Sequence, residues 1–171
     1  MDILRVIGGI FVLSSATALG YIKTRNYYDK ISQLQEFHRG MELVSCQMNY
    51  TLYSIPKLLL MVGSQLKGPS GKYFVNLSKS ISEGIPRHRA YKNALQKTKG
   101  LHLPGNGLMA LIEWSSTLGQ FDPEGENRIM KLSIQRMEQA LHSYQDEKQN
   151  MVKSYTLLGA CAGIAMIILL L

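Results

Sequence analysis

Apolar side chains recur at steps of three to five residues along most of the chain, the spacing of residues on one face of an α-helix. The last fifty residues show this pattern without interruption, because no proline follows Pro123. Asp122-Pro123-Glu124 has the composition of a helix start, with a capping carboxylate, a proline and a first-turn acid. We therefore predict one long helix from Asp122 to the C-terminus. Its predicted apolar face consists of Ile129, Leu132, Met137, Leu141, Tyr144, Met151 and Tyr155.

Five shorter helices are predicted before the long one, because glycine and proline break the periodic pattern. They cover residues 26–50, 58–66, 70–82, 86–99 and 108–118. Residues 103–107, Leu-Pro-Gly-Asn-Gly, are predicted as a turn, and Gly119 as the end of the fifth helix. No segment shows the alternation of a β-strand. The pattern predicts an all-α fold, a six-helix antiparallel bundle with short loops.

The inward faces of these helices define the predicted core. The first helix supplies Ile31, Leu34, Phe37, Met41, Val44 and Met48, and the third supplies Tyr73, Phe74, Leu77 and Ile81. We also predict that Leu118, Leu132 and Leu141 are core residues, so that truncating any of them to alanine destabilises the domain.

Two uncharged stretches lie at the ends of the chain. Residues 6–22 form a run of seventeen and residues 154–171 a run of eighteen, about the length of a membrane-spanning helix. We predict an N-terminal transmembrane anchor at residues 1–22 and a C-terminal transmembrane helix at residues 154–171. Residues 23–153 lie between them and form the predicted helical bundle.

The first apolar stretch has an alternative interpretation as a cleaved signal peptide, because residues 16–18, Ala-Thr-Ala, resemble a cleavage site. Asp2 and Arg5 offset each other, so the leading segment lacks the positive charge of a signal. Lys23 and Arg25 would directly follow the cleavage site, where basic residues oppose export. We therefore expect a retained anchor.

Basic residues flank both apolar stretches on the side of the central domain. They are Lys23, Arg25 and Lys30 after the first stretch, and Lys148 and Lys153 before the second. Because basic residues favour the cytoplasmic side of a membrane, residues 23–153 are predicted to face the cytoplasm. Both termini are then predicted to lie outside.

Small residues occur at helix-packing distance within both apolar stretches. Ala16 and Gly20 are four residues apart, as are Gly159 and Gly163. This spacing lets helices approach closely in lipid, so we predict that the two spans pack against each other or against a partner. Chance spacing is the alternative.

Charge is distributed unevenly along the central domain of a chain whose formal net charge is +7. Residues 57–99 contain nine basic residues and one acid, Glu83, whereas residues 113–147 contain seven acids and three basic residues. The asymmetry has two functional interpretations: attraction between the two segments, or a basic surface for an acidic partner or anionic lipid. A solvated surface without a specific role is the third interpretation.

The sequence contains no recognisable catalytic, cofactor or metal motif. His38, His88, His102 and His142 occur singly, without cysteine or carboxylate at ligand spacing. Cys46 and Cys161 cannot form a disulfide framework and are predicted to be buried thiols. No nucleotide-binding glycine loop or nucleophile motif is present. We therefore predict a non-enzymatic protein with no cofactor and no metal.

Several short motifs resemble the stage III sporulation protein AB family over essentially the full chain. The most specific is residues 117–122, Thr-Leu-Gly-Gln-Phe-Asp. Residues 65–69, Gln-Leu-Lys-Gly-Pro, and the closing pattern that begins at Lys153-Ser154-Tyr155 are also similar. The motifs occur in the expected order, which makes the combination more specific than any one of them.

The resemblance implies a fold similar to the cytoplasmic domain of type II secretion F platform proteins. It also implies a subunit of a secretion-like channel complex between mother cell and forespore, located in the mother-cell membrane that surrounds the forespore. The implied partners are a cytosolic secretion-type ATPase and other stage III sporulation membrane proteins. A homo-oligomer is left open.

The junction before the long helix is the candidate partner interface. Gly119 is predicted to take a left-handed conformation, and Asp122 to cap the next helix. Gln120, Phe121 and Asp122 are the candidate contact residues for the ATPase, although a purely structural turn is the alternative.

A second functional interpretation is a membrane-surface or nucleic-acid-binding module that uses residues 57–99. Tyr73, Phe74 and Tyr91 lie within this segment and belong to the class of side chains that stack on bases. Because they share the inward apolar face of their helices, we expect them in the core, which disfavours nucleic acid.

Overall fold

Six α-helices make up the fold in a computed structural model of the chain, which describes residues 27–48, 50, 53–119 and 123–170, without the side chains of residue 123 and residues 150–170. Helix α1 covers residues 27–48. The others are α2 (Ile55–Gln65), α3 (Gly68–Ser82), α4 (Arg87–Lys97), α5 (Gly105–Thr117) and α6 (Pro123–Leu170). These residues contain no strand, so the predicted all-α class and the six helices are confirmed.

The chain divides into two compact units. The core unit is Lys30–Ser143, and the terminal unit comprises Met1–Asp29 and Tyr144–Leu171. Within the terminal unit, the Tyr27 hydroxyl donates to Glu147 Oε1 at 3.1 Å, and the Tyr27 and Tyr144 ring centroids are 6.1 Å apart. Lys148 Nζ lies 3.5 Å from the centroid of the Tyr28 ring. Aromatic and charged contacts therefore join the two chain segments of this unit.

Proline sets the start of four consecutive helices. Pro56 and Pro69 occupy the first turns of α2 and α3, whereas Pro86 and Pro104 are the residues that precede α4 and α5. Proline suits these positions because its fixed φ is compatible with a helix start and the first amides have no helical acceptor. The helix breaks predicted from proline and glycine therefore fall within a few residues of the observed ones.

The predicted turn at residues 103–107 is partly wrong, because α5 already begins at Gly105. Pro104 precedes that helix with an extended backbone, at φ −65° and ψ 156°. Gly107 serves close packing within the helix: a Cβ atom there would lie 2.5 Å from Leu34 Cδ2. Contact with α1 therefore explains Gly107, whereas a Cβ atom at Gly105 would have no atom within 4 Å.

Neighbouring helices in the core unit run antiparallel. Ser78 Oγ, late in α3, donates to the Pro56 carbonyl oxygen, early in α2, at 2.6 Å. Asn76 Nδ2, near the middle of α3, donates at 3.1 Å to Oγ1 of Thr98, which follows α4. Asn93 Nδ2 in α4 also donates to Ser80 Oγ at 3.2 Å. Side-chain hydrogen bonds thus fix the register of α2, α3 and α4.

Gln33 on α1 holds the loop between α4 and α5. Its Nε2 donates to the Gly100 carbonyl oxygen at 3.0 Å, and its Oε1 accepts from the His102 amide at 2.8 Å. Glu36 Oε2 accepts from the Lys67 amide at 3.1 Å, ahead of α3. One face of α1 therefore supplies hydrogen-bond partners to backbone groups of two loops, which would otherwise need water as their partner.

Four aromatic rings form the centre of the core unit, and all of them are fully buried: Phe37, Tyr73, Phe74 and Trp114. Their centroids lie 5.6 to 6.0 Å apart in the contacting pairs, mostly edge to face. The α1 residues Ile31, Leu34, Met41 and Val44 are buried with them. The predicted inward faces of α1 and α3 are confirmed, although Met48 and Ile81 are only half-buried.

The Tyr73 hydroxyl is buried and hydrogen-bonded. It lies 2.8 Å from Ser115 Oγ, and Ser115 Oγ donates to the Leu111 carbonyl oxygen at 2.7 Å. Because the serine proton is used in that second bond, Tyr73 is the donor to Ser115. Burial raises the pKa of Tyr73 above its ordinary value of 10.0. The ring is therefore held in its neutral form.

The buried face of α6 differs from the predicted one. Its buried residues are Glu126, Met130, Ser133, Met137 and Ala140, at alternating steps of four and three. Leu118 before α6 is fully buried as predicted, but Leu132 is 44% exposed and Leu141 is half-buried, so the core assignment of Leu132 is wrong. Met137 is buried as predicted, but the stripe also contains Glu126, Ser133 and Ala140, which hydrophobic periodicity alone does not identify.

None of the described helices is both long and apolar enough to cross a membrane. The predicted N-terminal anchor at residues 1–22 lies outside the described residues. The side chains of the predicted span at residues 154–171 also lie outside them.

Candidate protein-binding surfaces

The junction between α5 and α6 is held from three sides at Gly119. Its φ is +65°, so the predicted left-handed conformation is confirmed. Its amide donates to Glu126 Oε1 on α6, and its carbonyl oxygen accepts from Arg87 Nη1 at the start of α4. A Cβ atom at Gly119 would lie 2.6 Å from both Arg87 Nη1 and Ile55 Cδ1. The end of α5 is therefore fixed to α2, α4 and α6.

Glu126 was not among the residues singled out from the sequence. It is 7% exposed, and its carboxylate contacts the Gly119 amide at the start of α6. An acid near the first turn of a predicted helix was a visible signal, because such acids favour helix N-termini. Its contact with the preceding helix end depends on tertiary structure and could not be predicted from spacing.

The three candidate interface residues, Gln120, Phe121 and Asp122, lie outside the described residues. The described chain brackets them closely, with Gly119 on one side and Pro123 at the start of α6 on the other. The capping role of Asp122 and the contact role of Phe121 therefore stay predictions. Gly119 has a fixed position in the structure, and only three residues separate it from the start of α6 in the sequence.

The predicted membrane-flanking residues fall into two groups. Lys23 and Arg25 lie outside the described residues, as does the side chain of Lys153 on α6. Lys30 is half-buried, and Lys148 lies against the Tyr28 ring. A lysine over an aromatic ring is stabilised by a cation–π interaction, so Lys148 has a structural partner whether or not it also faces lipid headgroups.

The predicted transmembrane packing residues are placed only in part. Ala16 and Gly20 lie outside the described residues. Gly159 and Gly163 are part of α6, and their packing role stays a prediction.

A basic surface covers α2, α3, α4 and the loops that adjoin them. Its residues are Lys57, Lys67, Lys72, Lys79, Arg87, Arg89, Lys92, Lys97 and Lys99. All but the half-buried Arg87 are exposed. Within the part of the chain that the structure describes, none of the nine has a carboxylate within 4.0 Å. The described contacts thus show no ion pair between the basic segment 57–99 and the acidic segment 113–147.

The α5–α6 pair shows the opposite arrangement of charge. Glu113 on α5 forms an ion pair with Arg136 on α6. The exposed cations Arg128 and Lys131 lie on α6 together with the exposed acids Glu124 and Glu138. Both signs of charge therefore alternate along the described part of this surface.

An open groove of about 490 Å³ lies between α2, α3 and α4. Gly63, Leu66, Gly71 and Val75 supply its apolar lining, and Lys72, Asn76 and Lys97 supply polar groups. The two glycines bring α2 and α3 into backbone contact, because a Cβ atom at Gly71 would lie 2.6 Å from the Gly63 carbonyl oxygen. Close approach of the two helices thus shapes the groove.

Cys46 is exposed on α1, so its predicted burial is wrong. It lies two residues beyond the buried Val44, which turns it to the outer side of the helix. The Cys161 side chain lies outside the described residues. Among the residues that the structure describes, no three histidine, cysteine, aspartate or glutamate side chains form a group that could hold a metal ion.

Comparison with known proteins agrees with the helical architecture. The profile of the family described as stage III sporulation protein AB matches residues 5–171. Stage III sporulation protein AB of Bacillus subtilis (strain 168) is 22% identical over 173 residues, which cover 98% of this chain and 99% of that protein. A solved structure of stage III sporulation protein AB has a TM-score of 0.66 at 17% identity, over 71% of this chain and 98% of the solved one. The resemblance noted in residues 117–122 is thereby confirmed, and the chain belongs to the stage III sporulation protein AB family.

Proposed function

We propose that this protein is a non-enzymatic, membrane-anchored platform subunit of a secretion-like channel complex between mother cell and forespore. Its bundle, residues 23–153, docks a cytosolic motor ATPase and assembles with other stage III sporulation membrane proteins. Its fold is of the type II secretion F kind, with transmembrane helices at residues 1–22 and 154–171. It resides in the mother-cell membrane around the forespore, with the bundle in the cytoplasm and both termini outside.

The α5–α6 junction is the observation that supports the docking role most directly. Arg87 and Glu126 hold the backbone of Gly119, so the end of α5 has a defined position. Gln120, Phe121 and Asp122 connect this fixed point to α6. Aromatic residues, including phenylalanine, are enriched in the buried centres of protein interfaces. Phe121 is therefore the proposed anchor for the ATPase.

The test is binding of the cytosolic ATPase to the full chain in neutral detergent. Phe121→Ala is expected to weaken binding by more than about 1 kcal/mol, because an interface anchor loses its buried ring. The melting temperature of the chain is expected to stay unchanged. Met109→Ala is the matched control, since Met109 is a 73% exposed apolar residue in the first half of α5.

Two results would count against this proposal in different ways. Failure of the wild-type chain to bind the ATPase removes the docking role. Unfolding of the Phe121→Ala variant makes the ring part of the core and the junction purely structural.

The proposed topology has its own test. In a Cys46→Ser, Cys161→Ser background, Ser82 is replaced by a probe cysteine, and intact cells are treated with a membrane-impermeant thiol reagent. Ser82 is exposed at the end of α3, so the probe is accessible to any reagent on its side of the membrane. No labelling is expected before the cells are opened, and full labelling after. Reaction in intact cells would place the bundle outside.

A further inference from the structure

Most cations of the basic surface of α2, α3 and α4 have no described partner within the chain; the exceptions are Arg87, which donates to the Gly119 carbonyl oxygen, and Lys57, which lies over the Tyr53 ring. Eight of its nine cations are exposed, and none has a carboxylate partner in the described parts of the chain. Only Glu83 offsets them within residues 57–99. Like charges on one surface repel one another, which destabilises the folded chain. A surface that keeps them is expected to be neutralised by something outside the chain.

The groove gives this surface a shape as well as a charge. Leu66 and Val75 line it with apolar atoms, while Lys72 and Lys97 supply charge at the same groove. At the same groove the α2 and α3 backbones approach closely, because Gly63 and Gly71 carry no side chain. An apolar recess beside two lysines suits a protruding apolar side chain that is flanked by acids.

Three other occupants fit the surface less well. Nucleic acid bound as a single strand needs aromatic rings to stack its bases, but Tyr73 and Phe74 are fully buried, and Tyr91, which was also expected in the core, is half-buried. A flat bilayer cannot reach into a recess, and it favours apolar side chains that protrude. A second copy of the chain would have to present an acidic surface, whereas its α5–α6 surface pairs Glu113 with Arg136 and alternates in sign.

We propose that the groove lined by Gly63, Leu66, Gly71, Lys72, Val75 and Lys97 docks an acidic polypeptide segment that inserts an apolar side chain. The surrounding lysines attract the segment, and the apolar recess retains it. The segment belongs to the cytosolic ATPase, so the identity of the partner rests on the proposed function. The groove is a second contact region, distinct from residues 120–122.

The first test uses a defined probe: a labelled peptide in which one leucine is flanked on both sides by glutamates. Binding to the full chain in neutral detergent is measured by fluorescence anisotropy over a range of salt. The double variant Lys72→Glu, Lys97→Glu is expected to weaken binding about tenfold or more and to flatten its salt dependence, because two attractive charges become repulsive. Lys72→Gln with Lys97→Gln is expected to give a smaller loss.

The matched control is Arg128→Glu with Lys131→Glu. It makes the same change in net charge at two exposed positions on α6, away from the groove. It is expected to change peptide affinity less than about twofold, because screened surface charges at a distance contribute little. An equal loss in this control, or no binding of the peptide to the wild-type chain, would overturn the inference. Replacing the leucine of the peptide by serine is expected to weaken binding. Unchanged affinity would show that the recess does not bind the apolar side chain.

The second test separates the inference from the proposed function. If the ATPase binds the wild-type chain and the Lys72→Glu, Lys97→Glu variant with equal affinity, the groove does not serve the ATPase, while the proposed function stands. If the ATPase does not bind the wild-type chain, the proposed function fails, and the peptide result alone decides whether the groove binds an acidic segment.

A further experiment measures binding of the same chains to vesicles that contain anionic lipid. Dependence of vesicle binding, but not peptide binding, on Lys72 and Lys97 would assign the surface to lipid instead.

Discussion

The centre of the core unit and the buried face of α6 are built from different side chains. At the centre, the rings of Phe37, Tyr73, Phe74 and Trp114 interlock, and glycine lets backbones approach where α2 meets α3. The buried stripe of α6 instead consists of methionine, serine, alanine and one glutamate. Both regions exclude water, yet only the first is made of residues with rigid shapes.

The difference predicts different tolerance to substitution. Aromatic rings have few rotamers and large surfaces, so their contacts specify one arrangement of α1, α3 and α5. Methionine is flexible and fills gaps of varied shape, which makes the α6 stripe more forgiving. The α6 stripe also repeats at steps of four and three residues, the spacing that suits a long helix packed along one seam. The four predictions below test this comparison in the full chain, with Trp114 as its single tryptophan reporter.

The largest effect is expected from Phe74→Ala. Phe74 is fully buried and contacts the rings of Phe37, Tyr73 and Trp114, so its removal leaves a cavity among rigid neighbours. The free energy of unfolding is expected to fall by about 3–5 kcal/mol in a chemical denaturation experiment. Leu132→Ala is the control, because Leu132 is 44% exposed on α6 and should change stability by less than about 0.5 kcal/mol. A large fall in the free energy of unfolding for Leu132→Ala would show that Leu132 is a core residue after all.

Gly71→Ala is expected to destabilise the contact of α2 with α3. The added Cβ atom would meet two backbone oxygens, those of Gly63 and Leu66, at 2.6 Å, and backbone cannot move aside as a flexible side chain can. The expected loss is about 1–3 kcal/mol in the free energy of unfolding. Gly105→Ala adds the same atom in the first turn of α5, where no atom lies within 4 Å, and should stabilise by about 0.4–1 kcal/mol. Equal changes in the free energy of unfolding for the two variants would mean that the close approach of α2 and α3 does not determine the cost of the added Cβ atom.

Alkaline pH is expected to destabilise the core through Tyr73. Its pKa is raised by burial in the folded state, so its contribution to stability is fully present below the unfolded value of 10.0 and is lost as pH rises above it. Between about pH 9 and about pH 11, the free energy of unfolding of the wild-type chain should fall by about 1.4 kcal/mol more than that of the Tyr73→Phe variant. Circular dichroism in denaturant measures both chains. Tyr53→Phe, at an exposed ring, is the matched control, and parallel pH curves for wild type and Tyr73→Phe would contradict the prediction.

The smallest effect is expected from Ser133→Ala on the α6 stripe. Ser133 is fully buried, and its hydroxyl has no hydrogen-bond partner among the described residues. Replacing it removes the cost of a desolvated polar group and improves helix propensity, so stability should rise by about 1 kcal/mol. Ser143→Ala, at an exposed position of the same helix, gains helix propensity but loses the hydrogen bond from the Ser143 hydroxyl to the Ala140 carbonyl oxygen, so it should give a smaller gain. A loss of stability on Ser133→Ala would show that the hydroxyl is needed.

Local chemistry along the chain was enough to predict six helices, their approximate limits and the inward faces of α1 and α3. Proline and glycine act on φ, ψ and hydrogen bonding within one or two turns, so their effect is visible in the sequence. The Phe37 and Phe74 positions were also predictable, because most large apolar residues at helical spacing on α1 and α3 are buried. The junction motif at residues 117–122 was sufficient to suggest the family.

Tertiary structure decided which residues of α6 are buried, where α5 begins and which groups hold Gly119. Leu132 is exposed and Ser133 is buried because burial depends on where α5 lies, and that position is set by contacts with helices distant in sequence. The hydrogen bond from Arg87 to Gly119, and the groove at Lys72 and Lys97, likewise join residues far apart in the chain. Sequence spacing describes each helix by itself, whereas these features arise only when several helices meet.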